Sequence, residues 1–362
     1  MERQIMNFFN LPRKFWWSHH LSFLLHDHLA CVVSQGEEKD LFWVKVPARN
    51  ENEAISLQAL GPGDDIIEWL RTHGRAEESL QVFERVIVHG LLADMCQFLF
   101  EAIECAAKGK MGVAFALLRK PFRDQLFILE WLLVEREGFL SQFENGPKAL
   151  DLYRLLKEKK DWTRSIVERA MAKSHSSAIG EHEFLWEMRF EKSVHWTLDG
   201  LWNQALHLVT TDKNYSTEPG NLNFAFIQEE DRDDLRERFY RHVPFVLVHM
   251  CGVVRSIIAK WNANFISMGR LFDLRVAANL ELALRETCHE ESIDSFGIEA
   301  INEFLLELKI PCENCEAQLQ IRTLRDLEIF ARDIMVPCCN CGLVDERFAD
   351  FDARDDESDD CK

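Results

Sequence analysis

Two cysteine pairs near the end of the chain carry its strongest chemical signal. Ile-Pro-Cys-Glu-Asn-Cys at 310–315 returns as Val-Pro-Cys-Cys-Asn-Cys at 336–341. A C-x2-C turn aims two soft sulfurs at one tetrahedral ion, so Cys312, Cys315, Cys338 and Cys341 spell a four-thiolate zinc site. Four thiolates leave no position open to water, which makes such a zinc structural rather than catalytic. Disulfides or free thiols are the alternative. Cys339 leaves the second register open, because it can replace Cys338 or stay free. Between the pairs, Thr323 and Asp326 make a capping-box start for a helix over "LRDLEIFARDIM". Leu324, Leu327, Phe330 and Ile334 are its packing residues. The module is therefore zinc-ribbon-like, but its ligand pairs are bridged by a short helix rather than by a plain hairpin.

Four weaker constellations lie upstream. Arg119, Arg123, Glu130 and Glu137 fall within about 40° of one another on a helix at about 100° per residue. They read as a solvent-facing stripe, or as a buried network lining a pocket in which guanidinium groups hold a phosphate or carboxylate. His207, Thr210 and Thr211 share a face just before the long connection at 211–230, toward which Asn221 and Asn223 can fold back. The plainer reading makes His207 a core histidine followed by two helix-ending threonines. His19, His20, His26 and His28 with Asp27 have metal-binding chemistry but fit no recognised ligand spacing. Arg236 and His242 form an R-x5-H pattern, and on a continuous helix they point about 120° apart. If Pro244 instead starts a new helix, His242 sits in the turn.

These residues must be positioned mostly by helices. Apolar residues recur with helical period from about residue 79, predicting helices over 79–109, 111–138 with a kink at Pro121, 147–158, 161–174, 182–210, 231–261, 263–287 and 292–308. "CVVSQ" and "LFWVKVPA" in the first 60 residues read as two short strands. The fold class is mainly α, a multi-helix bundle with a small irregular N-terminal section and a C-terminal four-cysteine zinc module. The divisions are 1–65 mixed, 66–309 all-α bundle, 310–344 zinc module and 345–362 acidic disordered tail.

Composition narrows the function classes. A net charge of −19, of which the tail carries −6, does not attract nucleic acid through its average field. Five of the eleven cysteines are scattered through apolar stretches like small core residues, which suits a reduced, cytoplasmic setting. No secretory leader is legible in residues 1–10, and the most apolar window, 243–254, is too short to span a bilayer, so no membrane role is expected. No phosphate-binding loop, nucleophile elbow or dinucleotide turn is present.

The runs "ALLRKPFRDQLFILEWLL" and "ALHLVTTDKNYSTEPGNLNFAF" resemble segments of poorly characterised bacterial all-helical proteins compared with the HEPN superfamily. The resemblance covers roughly residues 80–260 and implies a helical bundle in a bacterial cytoplasm, connected with defence or stress. Its R-x5-H pattern implies, as one alternative, a metal-independent ribonuclease or toxin using Arg236 and His242 around a 2′-OH attack on phosphate. The leading expectation is a zinc-stabilised helical binding or regulatory protein with a protein partner. RNA, a small anionic ligand held by Arg119, Arg123, Glu130, His207 and Asn223, or a homodimer are further possibilities.

Overall fold

The computed structural model describes residues 11–347 apart from 62–64, 145, 147–150, 175–180, 193–196, 226, 264–269 and 289–294. The acidic tail expected over 345–362 lies almost wholly outside the described residues.

Helices account for nearly all of the ordered elements. A 3-10 turn leads into α1 (Trp16–Glu38), followed by α2 (Glu51–Gln58), α3 (Ile66–Thr72) and the long α4 (Ala76–Ala107). Next come α5 (Met111–Arg119), a π-helical turn at Lys120–Gln125, α6 (Leu126–Val134), α7 (Arg136–Glu144), α8 (Leu152–Glu158) and α9 (Lys160–Lys173). The chain continues through α10 (His182–Phe190), α11 (Leu198–Leu206), α12 (Glu229–Ala259), α13 (Arg270–Cys288), α14 (Phe296–Leu308) and α15 (Leu324–Asp333). Two short strands, β1 (Val336–Pro337) and β2 (Val344–Asp345), pair antiparallel at the end.

Local chemistry explains many of the boundaries. Asn50 accepts from the Glu53 N–H and Asp65 from the N–H groups of Ile67 and Glu68, capping α2 and α3. Gly109, at φ +72°, closes α4, and the Lys110 N–H returns to the Cys105 carbonyl at 2.8 Å. Pro121 removes a helical donor, and the chain absorbs the loss by widening into the π turn between α5 and α6. Arg189 Nε then donates to the Phe122 carbonyl within that turn.

Four sequence expectations are corrected. Residues 31–35 are the last turns of α1, because Val32 continues the buried stripe Leu21, Leu25 and Leu29. Residues 41–48 form no strand; Leu41 and Phe42 plug into the core, and Arg85 Nη1 donates to the carbonyls of Leu41 and Trp43. The helix expected over 182–210 is interrupted after Phe190, where Glu191 turns extended. Pro244 starts no new helix, since α12 runs through it unbroken.

The described apolar residues gather in two cores. The larger joins α1, α4, α5, α6, α9, α10, α11 and α12, with α1 packed against α4, α12 and α13. The smaller is built from Leu274, Ala278 and Leu282 of α13, Ile301 and Leu305 of α14, and the cysteine segment. By length and composition α4 and α12 could each cross a membrane, and the apolar stretch of α12 is 67% buried inside the protein.

The N-terminal histidines do not converge on one point. His19 Nδ1 meets the Tyr240 hydroxyl at 2.9 Å, His20 meets Asn279, His26 lies between Asp27 and the Cys96 carbonyl, and His28 stacks on Phe272. Burial pushes His19 down to about 3, with His20 adding to the effect, and burial with Arg255 pushes His28 down to about 4. The unfolded chain therefore binds protons at these sites that the fold refuses. Their favourable contribution is complete above about pH 6.5 and is lost as pH falls toward 4–3. Urea midpoints should fall steadily from pH 7 to pH 5, and His28→Phe, which keeps the stack on Phe272, should flatten the profile. An equal slope in that variant would contradict the assignment.

Candidate metal centre

The two cysteine knuckles repeat one backbone design. The Cys312 N–H donates to the Ala317 carbonyl at 2.8 Å, and the Glu316 N–H donates back to the Cys312 carbonyl at 2.9 Å. In the second knuckle the Cys338 N–H donates to Leu343 at 2.7 Å and the Gly342 N–H to Cys338 at 2.9 Å. Both turns use a left-handed residue directly after their second cysteine, Glu316 at φ +59° and Gly342 at φ +77°. Pro311 bridges to Gln318, and Pro337 pairs with Val344, so each knuckle sits at the tip of a small hairpin.

Folding brings the four sulfurs within 4.8 Å of one another. Cys312 and Cys341 approach to 3.6 Å, as do Cys315 and Cys338, and none of the four is in a disulfide. A tetrahedral ion with metal–sulfur bonds of about 2.3 Å requires sulfurs about 3.8 Å apart, so the donor set fits a metal ion. Asn314 and the Leu343 N–H hold Cys341 down at about 6, while the N–H groups of Cys341 and Asn340 lower Cys338. Among the described residues this is the one group of His, Cys, Asp and Glu arranged to hold a metal.

The register ambiguity resolves in space, since Cys338 is buried in the quartet and Cys339 is exposed outside it. Cys339→Ser should leave metal content unchanged, as measured by atomic absorption on the purified chain. Gly342→Ala should cost about 1–2 kcal/mol of module stability, because alanine resists the left-handed region. Glu316→Gly should gain about 0.5 kcal/mol, glycine's greater unfolded freedom offsetting part of the relief. Thermal melts of the two variants moving in the same direction would break the knuckle analogy.

The helix between the knuckles is α15, with both capping-box hydrogen bonds formed by Thr323 and Asp326. Leu327, Phe330 and Ile334 are buried as expected, whereas Leu324 is exposed. Arg275 donates to the carbonyls of Ala331 and Arg332 at the end of α15, and Asn279 joins it on Ala331. The metal module is thereby fastened to α13.

The polar stripe on α5 and α6 is largely internal. Glu130 is completely buried, and its Oε1 accepts from Arg189 Nη1 at 2.5 Å and from His249 Nε2 at 2.8 Å. Burial alone would raise its carboxyl, yet Arg189 and His249 hold it below the ordinary range. Arg123 is buried against Asp199 on α11, with Nε 3.1 Å from Oδ1. Arg119 is half-buried and Glu137 exposed, so the four residues do not form one network. Arg189, His249 and Asp199 escaped the sequence reading, although His249 stands out as a ring in the chain's most apolar window.

His207 is exposed rather than a core residue. Asn223 does fold back, its Nδ2 donating to the His207 carbonyl at 2.7 Å and its N–H to the Leu208 carbonyl at 2.9 Å. Thr217 donates to Asn223 Oδ1 at 2.8 Å, and Thr210 donates to the Tyr215 carbonyl at 2.7 Å, so the loop is tied internally. Arg236 and His242 are both buried on α12; Arg236 pairs with Asp233, and His242 Nδ1 donates to the Arg238 carbonyl. Five residues of unbroken helix separate them, which leaves them on different faces. Comparison with protein-family models, with curated proteins and with solved structures returns no match to this chain.

Proposed function

We propose that the chain is an intracellular, zinc-stabilised helical binding protein that engages a protein partner through the loop after α11. Zinc is the reading for the metal because a four-thiolate tetrahedron suits that ion and gives it a closed, structural shell. The partner reading is carried by one observation. Leu206 at the end of α11, and Leu208, Val209 and Leu222 on the loop after it, stand 37–66% exposed, with the loop held in shape by Asn223, Thr210 and Thr217. The hydrogen bond from the Asn223 N–H to the Leu208 carbonyl ties the far end of the loop, next to Leu222, back to its start. Apolar surface presented on a stiffened loop has little ordering entropy left to lose on association.

Native mass spectrometry of the purified full chain tests both parts. The expected species carries one zinc per chain and a second polypeptide, either a partner or another copy. Leu208→Glu combined with Val209→Glu should release the second polypeptide and leave the zinc in place. A monomeric chain that hydrolyses RNA, with activity lost in Arg236→Ala and in His242→Ala, would overturn the binding reading.

A further inference from the structure

A cavity of about 860 Å³ opens between α12 and α13, bordered by the end of α9 and the start of α14. Its size falls within the roughly 300–1,000 Å³ of ordinary small-molecule sites. It exists because α12 and α13 both pack on α1 but scarcely on each other. One face of α12 supplies Phe245, Val248, Gly252 and Arg255, and one face of α13 supplies Asp273, Val276, Leu280 and Leu284. Arg255 is ion-paired with Asp273, so the late part of α12 meets the early part of α13 and the helices run antiparallel along the groove. From Arg255 back to Phe245 the groove extends about 15 Å at 1.5 Å per residue.

The two ends differ in chemistry. The Phe245 end is apolar, with Val248, Leu280, Leu284 and Phe296 lining the open space. The Arg255 end carries Lys173 and Ser256 as well as the Arg255–Asp273 pair. Lys260 adds a second ammonium there, because Lys173 Nζ and Lys260 Nζ both donate to the Leu133 carbonyl, at 3.3 and 3.1 Å. Burial first, and Lys173 next, lower Lys260. With Arg255 matched by Asp273, and Glu84 near Lys260 matched by Arg136, the two lysines leave this end positive in a chain whose net charge is −19. Small Gly252 and Ala277 keep the middle of the groove open.

We propose that the α12–α13 groove binds a single-chain amphiphilic carboxylate, its apolar chain along Phe245, Val248 and Leu284 and its anionic head at Lys173. The assignment rests on the binding-protein reading and names a ligand class for it. The head lies in the field of two ammonium groups, and the chain replaces water against aliphatic and phenyl surface.

Calorimetric titration of the full zinc-loaded chain with dodecanoate, dodecanol and dodecyltrimethylammonium tests this. Dodecanoate should bind one per chain and about tenfold more tightly than the cationic amphiphile, a difference of about 1.4 kcal/mol. Lys173→Glu should erase that preference while leaving dodecanol binding unchanged. Gly252→Trp should abolish saturable binding of all three, and Val248→Trp serves the same purpose if Gly252→Trp does not fold. No saturable dodecanoate binding, a preference for the cation, or undiminished binding in both tryptophan variants would overturn the proposal. Those results leave the partner surface untouched, because that surface is read by Leu208→Glu with Val209→Glu; loss of effect there with dodecanoate still bound would remove the partner and keep the groove.

Discussion

Chelating the zinc proposed for the four-cysteine centre is expected to unfold the smaller core while the larger helical core keeps its structure. Cys312 and Cys338 are themselves members of the smaller core, packed with Leu319, Ile321, Leu327, Phe330 and Val336. Those side chains are few for the segment they must order, since each residue fixed loses about 1–2 kcal/mol of backbone entropy. Structural zinc typically contributes about 10–16 kcal/mol of apparent binding free energy, which becomes folding free energy when no site exists in the unfolded chain. The boundary of the affected region follows from packing rather than from the cysteine positions. Ile301 and Leu305 place α14 within the same core, so loss should begin near residue 296 rather than near 310. On α13, Leu274, Ala278 and Leu282 face the module, so this helix should loosen along that face only. Hydrogen exchange read by mass spectrometry, with zinc and with excess chelator, should show protection lost across 296–347 and retained in α4 and α12. Cys338→Ser and Cys341→Ser should reproduce the chelated pattern, and Cys339→Ser should not. Unchanged protection after chelation, or loss throughout the chain, would refute this division.

What the sequence made legible was whatever depends on near neighbours. The repeated Pro-Cys-x-x-Cys phrase is a local signal, because each knuckle closes its own hydrogen bonds within six residues. The Thr323–Asp326 capping box and the stop at Gly109 are local in the same way. The valines in "CVVSQ" misled because β-branched residues favour strands on average. The place of Val32 on the buried stripe of α1 outweighed that preference. Pro244 misled for a related reason: its flanks Val243, Val246 and Leu247 are all fully buried, and tertiary packing holds the helix through it. The stripe on α5 and α6 was visible, but its burial was not, because burial depends on partners remote in sequence. Arg189 lies 59 residues from Glu130, and His249 lies 119 residues away. The packing of α13 and α14 against the cysteine segment is likewise a property that no local pattern encodes.

Replacing Glu130 is expected to be the most damaging single substitution in the larger core. Its carboxylate, the Arg189 guanidinium and the His249 ring are all fully buried, and Glu130 Oε1 holds the other two. Glu130→Ala removes the anionic partner of a guanidinium that water does not reach, and such a change costs about 3–5 kcal/mol. For a core of this size that corresponds to a fall of roughly 6–20 °C in melting temperature. The pair itself need not be favourable overall, because desolvating both charges offsets much of their attraction. Glu130→Leu with Arg189→Met should therefore recover most of the loss, the two changes together being far less harmful than the sum of each alone. Arg123→Ala gives a comparison at the neighbouring pair, where Asp199 would be left behind. Burial already raises the Asp199 carboxyl against the pull of Arg123, so Asp199 can take up a proton and the cost should be smaller than at Glu130. Thermal and urea unfolding of these variants, followed by a signal from α4 or α12, measures the series. A loss of only a few tenths of a kcal/mol in Glu130→Ala, or simple additivity in the double variant, would show that Arg189 and His249 find other partners and that Glu130 is not what holds them.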